Sequence, residues 1–476
     1  MRWQVAVLLV LLAPFMVQAL TLEEYLAQVK SKHRGLQALQ ASKSAALARR
    51  EAGDVGLSPV LTLKATSLDD KKPQNLGNFV TDHTEVVDYS LGLGKSFSTG
   101  TNAQITANAN ATTVSGTNFG STPPGSISQT NGTGSLGLAL SQSLWKGGFG
   151  RNVRFRQARE VQIERTERQS YDLQGQQILI QAEAAYWDVL FQRDELKLRK
   201  DSLERAKRIG SWVSRRVSNG IGDEADSYNA QSLVAGRELQ LLVAQDDLIA
   251  VEQRLRDILE LPPGEKLPIL TGDLNGVRRL EQMAQGQSGR KIRLDAYLAV
   301  LEAKTKVIIA DEVEDSYRPD LVLEGLYRTN SAEANLREAS NQISDRSRPT
   351  QSIGVKLVWL LDDDVKNAAR QTAKSEALSA ALKKERQLLE SDSAWSEINR
   401  RHIELGRKIQ AAQVVSDLQT KKAAAQRDKL SKGRSITSDV ITAEQDAAEA
   451  VSTLIRLKTE QRKLEAQGRL FVTYEE

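Results

Sequence analysis

Two glycine-rich segments have the composition of nucleotide-binding loops, but neither has the context that such loops need. GLGKS (92–96) ends like a phosphate-binding loop, yet that motif requires glycine where Tyr89 stands and a helix directly after the loop. The segment instead alternates like a strand. GGFG (147–150) is too short for a dinucleotide fingerprint and indicates a turn from strand to helix. Neither segment predicts nucleotide binding.

Residues that could bind a metal or act as nucleophiles are equally sparse. His33, His83 and His402 are scattered, without the spacing of a metal site. The absence of cysteine excludes disulfides, thiolate ligands, thiol nucleophiles and an acylated N-terminal cysteine. No nucleophile–base–acid set is recognisable. The sequence therefore predicts no enzyme activity, no metal site and no cofactor.

The first 19 residues are interpreted as a secretory signal peptide. Arg2 gives a positive start, an apolar core follows, and Ala19 ends a small-residue cleavage site. A retained N-terminal anchor is the alternative. Beyond this segment no run of 18 or more apolar residues occurs, so any membrane insertion must use β-strands. The 65 basic and 61 acidic side chains are interspersed, which favours solvated helix faces over nucleic-acid binding.

The composition alternates along the chain between charged helical segments and strand-like segments rich in Ser, Thr, Gly and Asn. The predicted order is a helix at 21–53, strands within 57–145, helices at 151–218 and 223–261, a loop-rich linker at 262–289, a helix at 290–317, strands within 319–361, and helices at 365–431 and 436–470. The same order occurs twice. Residues 20–261 and 290–476 are therefore predicted to be two structural repeats.

The long helices are predicted to pack side by side. The segments 151–218 and 365–431 would each extend roughly 100 Å, too long for one compact core to bury. Seams of small and apolar residues at 3/4 spacing, such as Val440, Ala443 and Ala447, are typical of coiled-coil packing. Because no seam is long and unbroken, a layer of several helices is favoured over a two-stranded rod.

The strand regions alternate with a period of two. Ile353, Val355 and Leu357 fall on one face, opposite Gly354 and Lys356. Strands of about ten residues with one apolar face suit the wall of a transmembrane β-barrel. A half-buried sheet in a soluble sandwich is the alternative. Few large apolar residues elsewhere could cover that face, so lipid contact is favoured.

A short pattern recurs between the long helices of each half. SNGIGDEADSYNAQ (218–231) and SKGRSITSDVITAE (431–444) carry glycine, aspartate and alanine at the same spacing, 213 residues apart. The glycines indicate turns. The two segments are predicted to be equivalent hairpin tips.

Together these segments resemble the TolC-like outer membrane efflux protein family. The resemblance rests on LTLEEYL (20–26), on QSLWKGGFG (142–150) and on the two tips, in the same order in both halves. It implies an α+β membrane protein: a homotrimer whose outer-membrane β-barrel continues into a long periplasmic α-helical barrel, with two repeats per protomer. It also implies a passive exit duct in the outer membrane of a Gram-negative bacterium, with outer-membrane lipid, a periplasmic adaptor and an inner-membrane pump as partners.

The resemblance also assigns gate residues at the tips. Asp439 matches an aspartate that lines the closed entrance, where three-fold symmetry makes a ring of negative charge. The family's second acidic position is Thr442 here, so cation sensitivity should be weaker. Asp226 matches an aspartate that locks the tip through an arginine and a tyrosine. Arg434 is the nearby arginine, shifted by one position, and Leu430 replaces the tyrosine.

Helix capping is the alternative role for both aspartates, because each follows a glycine turn at a helix start. The remaining tip residues are assigned to the turns and to adaptor contact: Gly220, Ala230, Gly433 and Ala443.

Residues 85–113 depart from the family pattern of four strands per protomer. They form an alternating hairpin around STGT (98–101) that could add two strands to the barrel or project outside the cell. The family count of four is favoured. Two other functions stay open: a membrane-anchored trimeric coiled-coil surface protein and a soluble periplasmic helical binding protein. The sequence does not separate drug efflux from polypeptide secretion.

Overall fold

The computed structural model describes residues 20–76, 79–118, 125–262, 264–276, 278, 280–284 and 289–474, so the predicted signal peptide lies outside the described residues. The helices within these ranges are α1 (Leu22–Lys32), α2 (Arg34–Ala52), α3 (Arg151–Ser218), α4 (Glu224–Leu259), α5 (Leu280–Met283), α6 (Leu294–Ser316), α7 (Leu336–Asn341), α8 (Asp363–Ser431) and α9 (Thr437–Gln467). The strands are β1 (Val60–Asp70), β2 (Gln74–Leu76), β3 (Phe79–Ser96), β4 (Thr101–Asn118), β5 (Gly125–Ser143), β6 (Arg290–Arg293), β7 (Asp320–Glu333), β8 (Pro349–Val358) and β9 (Phe471–Tyr474).

The chain divides into two compact units. A helical unit comprises the chain up to Lys43 together with Gln169–Leu298 and Glu385–Glu476, and a sheet unit comprises Ser44–Arg168 and Ala299–Lys384. Each unit takes segments from both halves of the sequence. Among the described helices, none is both long enough and apolar enough to cross a membrane.

The sheet unit contains one antiparallel sheet in the order β1-β3-β4-β5-β7-β8, with short β2 beside β3. Residues 85–113 form parts of β3 and β4, which pair along their length between β1 and β5. The expectation of four strands is therefore wrong for this sheet. The expected strand length of about ten residues is correct for β1 and β8, which have 11 and 10 residues, but too short for β7 and β5, which have 14 and 19.

The expectation of four strands followed the family count, although the alternation over 85–113 indicates a hairpin whose second strand is the polar β4. Its alternation of Ala107, Asn108, Ala109 and Asn110 provides little apolar contrast between faces, so the sequence signal is weak. The strand exists because its backbone pairs with strands on both sides.

The turn from β5 into α3 is fixed by a buried carboxylate. Gly147 has a φ of 60°, and its N–H donates to Asp315 Oδ2 over 2.8 Å. Arg151, the first residue of α3, forms an ion pair with the same carboxylate at 2.8 Å. The side chain of Asp315 is only 5% exposed. This geometry accounts for the GGFG segment, which the sequence interprets as a strand-to-helix turn.

The helical unit has its largest apolar core around aromatic residues of α1 and α3. The rings of Tyr25 and Tyr186 lie 5.3 Å apart, and Trp187 meets Tyr186 edge-on at 5.2 Å. The Tyr186 hydroxyl donates to the carbonyl of Thr271 over 2.7 Å. Burial raises the pKa of Tyr186 to about 12 and also raises the pKa of Tyr25.

Two local predictions in this unit are wrong. The helix expected over 21–53 breaks at His33, where the backbone is extended and Glu260 accepts the N–H of Arg34 over 2.8 Å. The segment 290–317 does not begin as a helix, because β6 pairs with β9 at the end of the described chain. Both features depend on partners far away in sequence, which local periodicity does not reveal.

A buried ion network links α3, α9 and the linker. The carboxylate of Glu183 is fully buried and accepts hydrogen bonds from Arg278 at 2.8 Å and Arg469 at 3.0 Å. Glu465, also fully buried, accepts from Arg462 at 2.7 Å. Each buried carboxylate thus has at least one guanidinium partner, as charges in low-dielectric surroundings require.

Candidate functional site

The two tips of the helical unit have the same backbone structure. At the first tip, the N–H of Gly220 donates to the carbonyl of Val217 over 3.0 Å, and that of Ile221 donates to Arg216 over 2.9 Å. At the second tip, Gly433 donates to Leu430 and Arg434 donates to Lys429, over 3.0 Å and 2.8 Å. Both are Schellman motifs, which satisfy the last carbonyls of α3 and α8.

Glycine is required at both tips by backbone conformation. The φ angles of Gly220 and Gly433 are 71° and 69°, in the left-handed region. Apart from the glycine and its two chain neighbours, no heavy atom of the described residues lies within 4 Å of the place where a Cβ would stand on either residue. Conformation, and not space, therefore selects glycine at these turns.

Asp226 and Asp439 occupy equivalent places in the helices that follow. Each is the third residue of its helix, α4 or α9. Neither is the N-cap: Asp223 caps α4 by accepting from the N–H of Ala225 over 3.3 Å, and Ile436 precedes α9 without a side-chain cap. A carboxylate in the first turn still interacts favourably with the positive end of a helix.

The predicted gate residues make no side-chain contacts with one another. In the part of the chain that the structure describes, Asp226, Arg434 and Asp439 form neither ion pairs nor side-chain hydrogen bonds. Asp226 is half-buried, while Arg434 and Asp439 are exposed. Two carboxylates and one guanidinium are thus left at the tips with their charges unpaired.

The packing below the tips explains the recurring alanines. Ala230 is 2% exposed and lies in one apolar cluster with Leu430, Val440 and Val213, which joins helices of both halves. Ala443 is fully buried and packs in a second cluster against Ala423. Their methyl groups allow close helix approach. Both alanines are buried in the protomer. Contact with another molecule at the tips would therefore involve the exposed turn residues.

Leu430 has a packing role where the family pattern has a tyrosine. Its side chain is 3% exposed, and it offers no polar atom to Asp226. The hydroxyl of Thr442 donates to the carbonyl of Ser438 over 3.0 Å, one helical turn earlier. Neither residue therefore replaces the polar link or the second acidic position of the family pattern.

Sequence reasoning missed a charge cluster that joins three helices next to the tips. Glu444 on α9 is 3% exposed and pairs through one oxygen with Arg205 of α3 at 2.9 Å and through the other with Arg427 of α8. The sequence signal for this cluster is a glutamate inside the alanine-rich seam around Ala443 and Ala447. The pattern does not reveal which arginines it meets.

Arg237 on α4 belongs to the same region. It is 6% exposed and donates to Gln240 over 2.7 Å. Burial lowers the pKa of its guanidinium, and the nearby charge of Arg199 lowers it further, while Glu444 opposes the shift. Positive charge thus accumulates around one buried carboxylate.

Over 94% of its length the chain has the fold of solved outer-membrane channels. The channel OprN has a TM-score of 0.68 at 16% identity, with 94% of this chain and 89% of that chain covered. The outer membrane protein VceC of Vibrio cholerae has a TM-score of 0.66 at 13% identity, covering 94% of each chain. The open state of the MtrE channel of Neisseria gonorrhoeae also has a TM-score of 0.66 at 13% identity, covering 94% of this chain and 88% of that chain.

By sequence alone, no protein-family model and no curated protein matches the chain. At these low identities the structural similarity establishes the fold.

Proposed function

We propose that this protein is an outer-membrane exit duct of a tripartite efflux or type I secretion system, belonging to the TolC-like outer membrane factors. It conducts substrates passively from a periplasmic adaptor and an inner-membrane pump to the exterior of a Gram-negative cell, without chemistry of its own. The observation that carries this proposal is the fold, shared with outer-membrane channels over 94% of the chain.

A homotrimer is proposed because the helical unit exposes apolar side chains that one protomer does not cover. On α4, Leu239 and Ile249 are 63% and 66% exposed, and on α8, Leu389 and Leu418 are 68% and 59% exposed. Long helices with such faces need neighbouring helices. Second copies of this chain are the proposed neighbours, which would form the periplasmic α-helical barrel.

The sheet is proposed to form part of a closed β-barrel in outer-membrane lipid. The outer edges of β1 and β8 have no strand partner within the described residues, and barrel closure between copies would satisfy them. The pairing of β5 with β7 joins both halves of the chain in this sheet. It disfavours a coiled-coil surface protein with one terminal barrel segment.

The tips are proposed to form the periplasmic entrance. Three copies of Asp439 would make a ring of negative charge, and Asp226 and Arg434, which have no ion-pair partner among the described residues, lie at the same end. Gly220 and Gly433 shape the exposed turns that would meet the adaptor. Because Leu430 lacks the hydroxyl of the family's tyrosine and Thr442 lacks the carboxylate of its second acidic position, the closed entrance would depend on other contacts.

Single-channel recording tests this function. Purified protein should migrate as a heat-modifiable trimer from the outer-membrane fraction and should produce discrete conductance steps in a planar bilayer. A folded, inserted trimer that gave no conductance, even after substitution of the tip aspartates, would overturn the proposal. Recovery of the chain from the soluble periplasm would instead favour the binding protein.

A further inference from the structure

The strands β3 and β4 carry the same apolar face as their neighbours. One register row runs across five strands through residues that face the same side of the sheet: Leu61, Leu93, Ile105, Leu138 and Tyr327. These side chains are between 39% and 62% exposed. Partners in an antiparallel register point to the same face, so the row is a continuous apolar surface. It is not interrupted at β3 or β4.

The opposite face is polar or small along the same strands. The adjacent register row consists of Thr62, Gly92, Thr106, Gly137 and Arg328. One apolar and one polar face is the pattern of a membrane-barrel wall, with lipid outside and water inside. A hairpin projecting into water would have no reason to repeat this pattern in register.

The apolar stretch of β3 has the height of an outer-membrane core. On the apolar face of β3, Lys95 and Glu85 lie at the two ends of an uncharged stretch. The side chains between them on this face are Leu93, Leu91, Tyr89 and Val87. Ten residues of strand extend roughly 34 Å, which at a tilt of about 40° spans about 26 Å. This agrees with the apolar band of about 25 Å on outer-membrane barrels.

The turn between β3 and β4 is packed against the start of α3. A Cβ on Gly150 would lie 1.7 Å from the carbonyl oxygen of Ser98, and one on Gly100 would lie 2.8 Å from the nitrogen of Gly150. Gln142 donates to the carbonyl of Thr99 over 3.1 Å. The added hairpin is therefore fixed at the same end of the sheet where β5 leads into its helix.

The strand directions are compatible with two extra strands, β3 and β4, in each protomer. Every neighbouring pair from β1 to β8 is antiparallel, so the two edge strands run in opposite directions. The β1 edge of a second copy can then pair with β8 and continue the antiparallel order. Because β3 and β4 are two strands, adding them does not change this order.

We propose that each protomer contributes six strands to the barrel wall, so that the trimer forms an eighteen-stranded pore instead of the family's twelve. This inference rests on the proposed outer-membrane duct. At a strand spacing of about 4.8 Å and a tilt of about 40°, twelve strands give a wall diameter of roughly 24 Å and eighteen give roughly 36 Å. The outer opening then admits solutes or polypeptides too wide for the narrower barrel.

Cysteine labelling tests the placement of the added strands, because the natural sequence has no cysteine to interfere. Ile105→Cys and Thr106→Cys are adjacent on β4 and lie on opposite faces. Leu138→Cys on β5 represents the lipid face, and Arg346→Cys represents an exposed loop after α7. Full-length trimers in lipid nanodiscs, and intact cells, are treated with a membrane-impermeant maleimide.

The six-strand wall predicts that Ile105→Cys reacts at least about tenfold more slowly than Thr106→Cys in nanodiscs, and as slowly as Leu138→Cys, since hydrocarbon disfavours the thiolate. Equal, rapid labelling of residues 105 and 106 would place the hairpin in water. That result would overturn the six-strand inference but not the proposed duct. On intact cells Arg346→Cys should label. If it did not, although it labelled in nanodiscs, the proposed outer-membrane duct itself would fail.

A direct strand count completes the test. Electron cryomicroscopy of the same nanodisc trimers should resolve eighteen strands around the pore. A twelve-stranded ring with β3 and β4 outside it would overturn the inference and leave the proposed duct intact.

Discussion

Leu138 on β5 lies directly opposite Tyr327 on β7, and this antiparallel register joins the two halves of the chain in one sheet. The residues are 189 positions apart in the sequence (138 to 327). Both side chains lie on the apolar face, 41% and 39% exposed. Segments from both halves of the chain therefore share one sheet, and both contribute side chains to its apolar face.

Removing the charge of Asp439 should weaken block of the channel by multivalent cations. Asp439→Ala deletes an exposed, unpaired carboxylate that is proposed to recur three times around the entrance. The measurement is single-channel current during titration with a di- or trivalent cation. Asp428→Ala is the matched control, because Asp428 lies near the same tip but is already paired with Lys432 at 2.7 Å. Equal effects of both substitutions would contradict an entrance role specific to Asp439.

Substitution of Glu444 should loosen the helices next to the tips. Glu444→Gln leaves Arg205 and Arg427 without their shared carboxylate. We expect a loss of about 3 kcal/mol, at the low end for broken buried pairs because both arginines are partly exposed. Chemical unfolding and limited proteolysis near the tips would measure it. Glu449→Gln, on an exposed part of α9, should stay within about 0.5 kcal/mol of the wild type.

Alanine should have opposite effects at two glycines of the helical unit. Gly220→Ala forces a side chain into the left-handed region at a φ of 71° and should cost about 1 kcal/mol. Gly236→Ala lies inside α4 with no atom within 4 Å of the new Cβ, and should stabilise by up to about 1 kcal/mol. Thermal unfolding of the two variants measures the difference. A stabilised Gly220→Ala would contradict the turn geometry.

Alkaline pH should destabilise the core around Tyr186. Its folded-state pKa is raised to about 12 by burial, so its contribution is fully present below the unfolded pKa of about 10. Stability should then fall as the pH rises from about 10 to about 12, because the unfolded state releases the proton first. Tyr186→Phe should reduce this slope, although it also removes the hydrogen bond to Thr271. An unchanged slope, measured by urea unfolding across this range, would contradict the assignment.

The turn of the added hairpin should not tolerate a side chain on Gly150. Gly150→Ala places a Cβ 1.7 Å from the carbonyl oxygen of Ser98, on a residue whose φ is 77°. We expect a loss of at least about 3 kcal/mol and poor trimer yield, since backbone atoms must move. Gly148→Ala, whose nearest neighbour would be 3.8 Å away, should assemble normally. The yield of heat-modifiable trimer measures both.

Local periodicity in the sequence predicts most of the helices. The pattern over 151–218 predicts a helix, and α3 runs from Arg151 to Ser218. Backbone hydrogen bonds in a helix join residues four apart, so the information lies within a short window. The same holds for the turns at Gly220 and Gly433, whose positive φ depends on the residue itself.

Only the tertiary structure decided the strand order β1-β3-β4-β5-β7-β8, the pairing of β6 with β9 and the partners of Glu444. Strand pairing and cross-helix ion pairs join residues far apart in the chain, and a single sequence does not encode their register in any local pattern. The same distinction between sequence and tertiary structure applies to Asp226, Arg434 and Asp439. The sequence places them at the tips, but the structure determines that their charges have no ion-pair partner among the described residues.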